Sequence, residues 1–367
     1  MRRNVPRGRP FKHASQLNNL FDIFQLDAAN SVTTAWQFFD QAGHLKVSAC
    51  KDKKSTSDWQ QSEPAEQPAE VVTTKSDATK NNKQGVPATG SQGKSPVRFL
   101  AYNLKNYLTM RRYSNGKSSN ASKPEDEIEA LISTIVDAKP DIIGICEIGS
   151  PDDLKDLQNR LKEKGINLPH AHHLLGYDSV RTLAIISKFP VISTGKPNKD
   201  NYTVGKTPFK ISRGILDATI QFPNKKVRCL GVHLKSKRPI PDADQELMRR
   251  AESGLLRAHV NDILQATPDT HLLVYGDFND TKRTPTMRTA MGRLNAKSGL
   301  IVLNAKDSRG DLWTHHWGRE DIYSRFDFVM VSKSLSPDID TAGMKILDPP
   351  NWDKASDHRA ILIPIHQ

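Results

Sequence analysis

A set of polar residues in this sequence stands where apolar runs stop or start, and their types are those that handle hard cations and phosphate esters. Asn103 follows Phe99-Leu100-Ala101-Tyr102, and Glu147 follows Ile142-Ile143-Gly144-Ile145-Cys146. His233 follows Cys229-Leu230-Gly231-Val232, and Asp277 and Asn279 lie just after Leu272-Leu273-Val274-Tyr275. Asp327 opens the run Asp327-Phe328-Val329-Met330-Val331, and Ser356-Asp357-His358 precedes the last apolar run. Polar groups at the ends of buried strands are held on a rigid frame and face solvent, as a catalytic site requires. Singly, each has an ordinary reading. Asn after a strand forms turns, Asp-x-Asn caps helices, and a lone histidine is commonly hydrogen-bonded scaffold. The joint occurrence in this order, each beside an apolar strand, is what points to chemistry.

The elements that must position these residues alternate in type. Val97–Tyr102, Asp141–Cys146, Leu183–Ser187, Gly214–Phe222 and Val227–Val232 read as strands, as do His271–Tyr275 and Asp327–Val331. Ser122 with Glu125 three residues on reads as a capping box. Ile128, Leu131, Ile132 and Ile135 then mark one helical face, and Pro140 ends that helix. A second helix is expected over Leu154–Leu161 and a third near Gln245–Leu264, with Leu247, Leu255 and Val260 inward. Strands and helices in this sequence predict stacked sheets flanked by helices. No internal repeat is evident.

The 367 residues leave room for one large domain or two ordinary ones, and the 37 % apolar content suffices for a sizeable core. No apolar stretch approaches the roughly 18 residues of a membrane span, so a soluble or merely tethered protein is expected, cytoplasmic or exported, and a monomer. Residues 51–95 are rich in Lys, Ser, Thr, Gln, Pro and Gly and read as a disordered linker. Residues 1–50 are unassigned, with one short helix suggested by Leu17, Leu20, Phe21 and Phe24. Val47-Ser48-Ala49-Cys50 faintly resembles a lipoprotein cleavage box, but no apolar segment precedes it. Cys146 and Cys229 lie in apolar runs and read as core residues. The net charge is +12, and 40 basic against 32 acidic residues fall after residue 95, a surplus of eight. A basic surface favours polyanions such as nucleic acid or anionic lipid.

At this point the sequence resembles the endonuclease/exonuclease/phosphatase superfamily, which includes pancreatic-type deoxyribonucleases, abasic-site endonucleases, neutral sphingomyelinases and inositol polyphosphate 5-phosphatases. The strings that carry the resemblance are AYNLKNY (101–107), PDIIGICEI (140–148), RTLAIISKFPV (181–191), SRGILDATI (212–220), GVHLKS (231–236), YGDFND (275–280), SRFDFVMVS (324–332) and SDHRAIL (356–362). It covers about residues 96–367 and makes that segment the catalytic domain. The fold it implies is α/β (α+β), a four-layer sandwich of two packed, mainly antiparallel sheets flanked by helices. The resemblance makes Glu147 the principal metal-binding carboxylate, with Asn103 near the metal or scissile phosphate and Asp357 bordering the metal site. It makes Asp277 and Asn279 the pair that positions nucleophile and phosphate, His358 the catalytic histidine and Asp327 its orienting carboxylate. His233 matches the second histidine of the deoxyribonuclease and sphingomyelinase branches, where abasic-site endonucleases carry a tyrosine.

Oxygen ligands from Glu147, Asn103 and Asp357 suit Mg²⁺, or Mn²⁺, which binds through few carboxylates plus substrate phosphate. Arg181, Arg213 and Lys235 are candidate phosphate-binding residues, and Lys237, Arg238, Arg249 and Arg250 extend the basic run after His233. The expected activity is metal-dependent hydrolysis of phosphate esters, foremost cleavage of DNA or RNA with little sequence preference. A phosphatase or a lipid (sphingomyelin- or inositol-type) phosphodiesterase is the alternative, and a catalytically silent binding module on the same fold is a further one.

Overall fold

The structure, a computed structural model, describes Ala35–Phe39, Leu45–Ala49 and residues 95–367 apart from Asn115. The chain divides into two units, Met1–Pro87 and Ala88–Gln367. In the first, Ala35–Phe39 and Leu45–Ala49 pair antiparallel, with Gln37 opposite Val47. This hairpin was not expected from the sequence, and its second strand includes Val47, Ser48 and Ala49 of the cleavage-box-like string. The helix expected at Leu17–Phe24 and the linker of 51–94 lie outside the described residues.

The second unit contains two six-stranded sheets. In chain order their strands are β1 (Val97–Tyr107), β2 (Ile142–Ile148), β3 (His170–Leu174), β4 (Thr182–Ser187), β5 (Val191–Thr194), β6 (Ile215–Gln221), β7 (Lys226–His233), β8 (Leu272–Asp277), β9 (Ile301–Val302), β10 (Asp327–Val331), β11 (Lys345–Ile346) and β12 (Ile361–Ile365). One sheet runs β11-β12-β1-β2-β4-β3 and the other β9-β10-β8-β7-β6-β5. Each is antiparallel except for one central parallel pair, β1 with β2 and β7 with β8. A parallel pair needs a crossover, and helices α1 (Glu125–Ala138) and α3 (Gln245–Ala266) supply them. The two sheets are therefore built alike although the sequence shows no repeat.

Alternation along the strands makes the layers. In β1, Val97, Phe99 and Ala101 enter the core between the sheets, while Leu100, Tyr102 and Leu104 enter the core under α1 and α2 (Pro151–Glu163). A third core lies between the second sheet, α3 and the short α4 (Pro285–Met291). Helix, sheet, sheet and helix are thus four layers, as the sequence implied. Cys146 and Cys229 are buried between the sheets, as expected. Tyr275 crosses that middle layer. A Cβ on Gly144 would lie 2.3 Å from its ring and one on Gly231 2.6 Å from its hydroxyl, so both positions need glycine.

Several local expectations change. Ser122 and Glu125 form no capping box, because α1 starts at Glu125 behind Pro124, which has no side-chain cap. The capping box belongs to α2, where Ser150 and Asp153 bond reciprocally. Leu247 sits on the solvent side of α3, 51 % exposed, while Leu255 and Val260 point inward. Among the described residues no helix is long and apolar enough to cross a membrane.

Candidate active site

Strands of a parallel pair end on the same side of their sheet, and the site is built on those ends. His233 of β7, Asp277 of β8 and Asp327 of β10 are successive register partners, standing abreast across the second sheet. In the first sheet the regular β1–β2 ladder stops at Asn103 opposite Cys146. Both strands then bulge. Lys105 and Asn106 take φ of 49° and 58°, Glu147 takes 63°, and the pairing slips between Cys146 and Ile148. A bulge re-aims a side chain out of the pleat's alternation, at a local backbone cost of about 1–2 kcal/mol. At Glu147 the re-aimed carboxylate accepts from Asn106 N at 2.9 Å. The strand ends read from sequence at Asn103 and Glu147 are bulges, not stops, whereas β7 and β8 do end at His233 and Asp277.

The two sheets meet at one carboxylate. Asp277 Oδ2 accepts from Asn103 Nδ2 and Asn279 Nδ2, each at 3.2 Å, and lies 3.5 Å from His233 Nε2 and 3.7 Å from His358 Nε2. Its Oδ1 accepts from Asn279 N at 2.8 Å. Asn279 adopts φ 51° to close this turn and also donates to Leu234 O at 3.0 Å. Gly276, at φ 137°, is required because a Cβ there would lie 1.9 Å from Val232 O. The Gly-Asp-Phe-Asn string is thus a backbone solution as well as a set of ligands.

His358 Nδ1 donates to Asp327 Oδ2 at 2.7 Å. Ser356 Oγ ties the segment down, accepting from His358 N at 3.0 Å and donating to Asn103 O at 2.8 Å. Burial alone would lower the pKa of His358, but Asp327 and Asp277 outweigh it and push the ring up to about 10. Burial, then the charges of Arg213 and His358, press His233 well below the usual imidazole value, and its Nδ1 is buried without a hydrogen-bond partner among the described residues. One histidine is therefore cationic and the other neutral. Opposed environments of this kind divide acid–base work between like groups. Burial pushes the carboxyl of Asp277 up to about 7, with His358 opposing and Asp327 adding to the rise. Burial also raises Glu147, against the pull of His358.

The remaining sequence candidates fall at graded distances. Arg181 Nε lies 4.0 Å from Glu147 Oε2. Arg213 pairs with Asp178 at 3.3 Å and acts through its charge on Glu147 and His233. The charge of Asp357 acts on Glu147, His358 and Tyr102. Lys235 turns its ammonium onto the carbonyls of Ser236 and Arg238 at 3.3 and 3.1 Å. Arg249 is not part of an exposed basic face. It is buried, with Nε 3.2 Å from Asp280 Oδ2 and Nη1 on Lys235 O.

Four residues support the site in roles that the sequence did not show. Asn106 acts through its backbone N–H, Ser356 through its hydroxyl, and Thr314 Oγ1 accepts from Asp327 N at 3.0 Å. His315 packs its ring 4.6 Å from that of His358 and 5.1 Å from Phe326. Burial, reinforced by the charge of His358, lowers its pKa to about 4. The string Trp313-Thr314-His315-His316-Trp317 was its only sequence signal.

A divalent cation fits here. Glu147 Oε1 is 3.9 Å from His233 Nε2, beyond hydrogen-bond distance, so this half-buried carboxylate keeps an uncommitted oxygen. Asn103 Oδ1 accepts only Lys105 N among the described residues, and the negative charge of Asp357 acts on Glu147. Asp277, Asp327 and His358 also have metal-like spacing, with possible ligand atoms within 4.8 Å of one another. Their lone pairs are already engaged by the histidine–aspartate contact and the amides, which leaves the oxygen-rich Glu147 side as the better cation site.

Three comparisons bear on this architecture. The sequence pattern of the Endonuclease/Exonuclease/phosphatase family matches residues 100–358. No curated protein matches the chain. Among solved structures, the chain is similar to the human Nocturnin catalytic domain with bound sulfate, at TM-score 0.52 and 16 % identity over 73 % of this chain and 93 % of that one. It is similar to beta toxin 275-280 from Staphylococcus aureus, at TM-score 0.51 and 13 % identity over 73 % and 99 %. A humanized D. rerio TDP2 aligns at TM-score 0.51 and 17 % identity over 75 % and 100 %. At such identities these likenesses speak to the fold, whereas the pattern match spans most of the chain and every candidate catalytic and metal position named above from Asn103 to His358. This chain belongs to the endonuclease/exonuclease/phosphatase family.

Proposed function

We propose that this member of a family of phosphate-ester hydrolases is a Mg²⁺- or Mn²⁺-dependent phosphodiesterase that cleaves DNA or RNA with little sequence preference. The observation that carries the chemistry is the imidazolium of His358, held at 2.7 Å by Asp327 and facing Asp277 at 3.7 Å. Asp277 Oδ2, with its raised pKa, takes the proton of the attacking water as the new P–O bond forms. His358 Nε2 gives its proton to the leaving oxygen as the old P–O bond breaks, and Asp327 steadies the ring in both states. Asn103 and Asn279 fix the Asp277 carboxylate, and the neutral His233 adds a hydrogen-bonding nitrogen without adding charge. Glu147, Asn103 and Asp357 would hold the cation, which would supply neutralisation of charge on the phosphoryl oxygens. Arg181, Arg213 and Lys235 are the phosphate-binding candidates at the rim.

The nucleic-acid part of the reading is supported by the surplus of eight basic residues after residue 95. A panel tests it: bis-p-nitrophenyl phosphate, plasmid, single-stranded DNA, RNA, sphingomyelin and inositol phosphates, each with Mg²⁺ and with EDTA. Metal-dependent cleavage of DNA or RNA is expected. Turnover of lipid or inositol phosphates alone sinks the nuclease reading, and no turnover of any ester sinks the enzymatic one.

A further inference from the structure

Net charge says that a polyanion is favoured but not where it lies. The hairpin of Asn201–Val204 and Thr207–Lys210, the segment at Tyr177 and the loop after His233 enclose a groove of about 790 Å³. Among the described residues its lining includes Lys199, Lys210 and Lys235 and no carboxylate. Tyr177 is 76 % exposed at its edge, with Lys210 Nζ 5.8 Å from the ring centroid. Behind it Tyr202 and Phe209 stack at 5.8 Å and stiffen the hairpin wall. An exposed aromatic ring in a groove lined with lysines is the combination that binds nucleic-acid strands, the bases stacking and the phosphates pairing.

Two residues of the groove's lining adjoin site residues in the chain. Ser212 lines it, and the next residue is Arg213, whose charge reaches Glu147 and His233. Asp178 N donates to Ser212 O at 2.6 Å, and the Asp178 carboxylate pairs with Arg213, so Tyr177 is moored to the site's edge. On the other side, Lys235 is two residues beyond His233.

We propose that this groove is a strand-binding subsite for single-stranded nucleic acid, with a base stacked on Tyr177 and the flanking phosphates on Lys199 and Lys210. The proposal rests on the phosphodiesterase reading above and names its substrate class. Single strands are favoured because a duplex hides its base faces in its own stack. Lysines spread along the groove match a repeating phosphate better than one lipid headgroup.

The test is the fluorescence anisotropy of a labelled oligothymidylate and of a labelled duplex with the full chain in EDTA, where nothing is turned over. Tyr177→Ala and Lys210→Ala are compared with Lys155→Ala, a charge-matched change on the outer face of α2. Each groove variant should weaken oligothymidylate binding about tenfold, as loss of one stack or phosphate contact does. Lys210→Ala should also flatten the slope of log affinity against log salt by about 0.7. With Mg²⁺, kcat/KM for the oligonucleotide should fall further than that for bis-p-nitrophenyl phosphate. Groove variants that bind like wild type overturn the subsite and leave the nuclease reading standing if wild type cleaves DNA. Equal losses on duplex and single strand overturn the single-strand preference. Wild type that neither binds nor cleaves nucleic acid, yet hydrolyses the small diester or sphingomyelin vesicles, overturns both.

Discussion

Asp277 and Asp327 are register partners on β8 and β10, and one imidazole, that of His358, lies against both. Antiparallel neighbours bring their side chains to the same face at the same level. Two carboxylates so placed repel when both are ionised, and the cationic ring between them relieves that repulsion. The contact at Asp327 is a 2.7 Å hydrogen bond, while that at Asp277 is 3.7 Å. The ring is thus anchored to one carboxylate and only faces the other.

If His358 and Asp327 act as one unit, their losses should not add. His358→Ala is expected to lower kcat by about 100- to 10,000-fold. Asp327→Ala should lower it to a similar degree, and the double variant scarcely further. Multiplicative losses in the double variant, measured on bis-p-nitrophenyl phosphate, would show that the two work separately.

Glu147→Gln should abolish activation by Mg²⁺ at concentrations that saturate wild type. Outer partners of metal ligands are worth about 10- to 100-fold, so the ligand itself should exceed about 100-fold in turnover. A metal titration of activity checks it. Full wild-type activity in EDTA would remove the cation from the mechanism.

In EDTA, stability should fall as pH rises. The folded pKa of His358, raised to about 10, lies above its unfolded value of about 6.5. Its contribution is complete below the unfolded value and is lost as pH climbs through about 10. Asp277 has the same sign, because a carboxyl raised to about 7 by burial resists the ionisation that the unfolded chain undergoes near pH 4. Urea midpoints across pH 4–10 should show His358→Ala flattening the upper part of the decline and Asp277→Asn the lower. Stability that rises over that range in wild type would contradict both assignments.

A chain shortened to begin at Gln92 should fold and keep its specific activity on bis-p-nitrophenyl phosphate. The first core residue, Val97, opens β1, and each candidate catalytic and metal residue lies at 103 or beyond. Melting temperature and turnover of the two forms decide it. An inactive or unfolded short form would mean that residues 1–91 support the domain.

The sequence by itself determined the strand–helix order and the candidate set of the site. Apolar runs and alternation follow from burial, which each segment must satisfy on its own, so β2, β8, β10 and α3 were legible to within a few residues. The types and order of Asn103, Glu147, His233, Asp277, Asn279, Asp327 and His358 were legible for the same reason. Tertiary structure decided what depends on neighbours distant in the chain. The bulge that turns Glu147 toward the site arises from slipped pairing with β4 as well as from its own backbone, so a local reading shows only a strand stopping. Arg249 reads as a basic surface residue until Asp280, 31 residues away, is found beside it in the core. His315 carries no strand-end signature and gains its place only when the segment at 315 bridges to His358. The two histidines have the same intrinsic pKa, and only burial among different charges makes His358 cationic and His233 neutral.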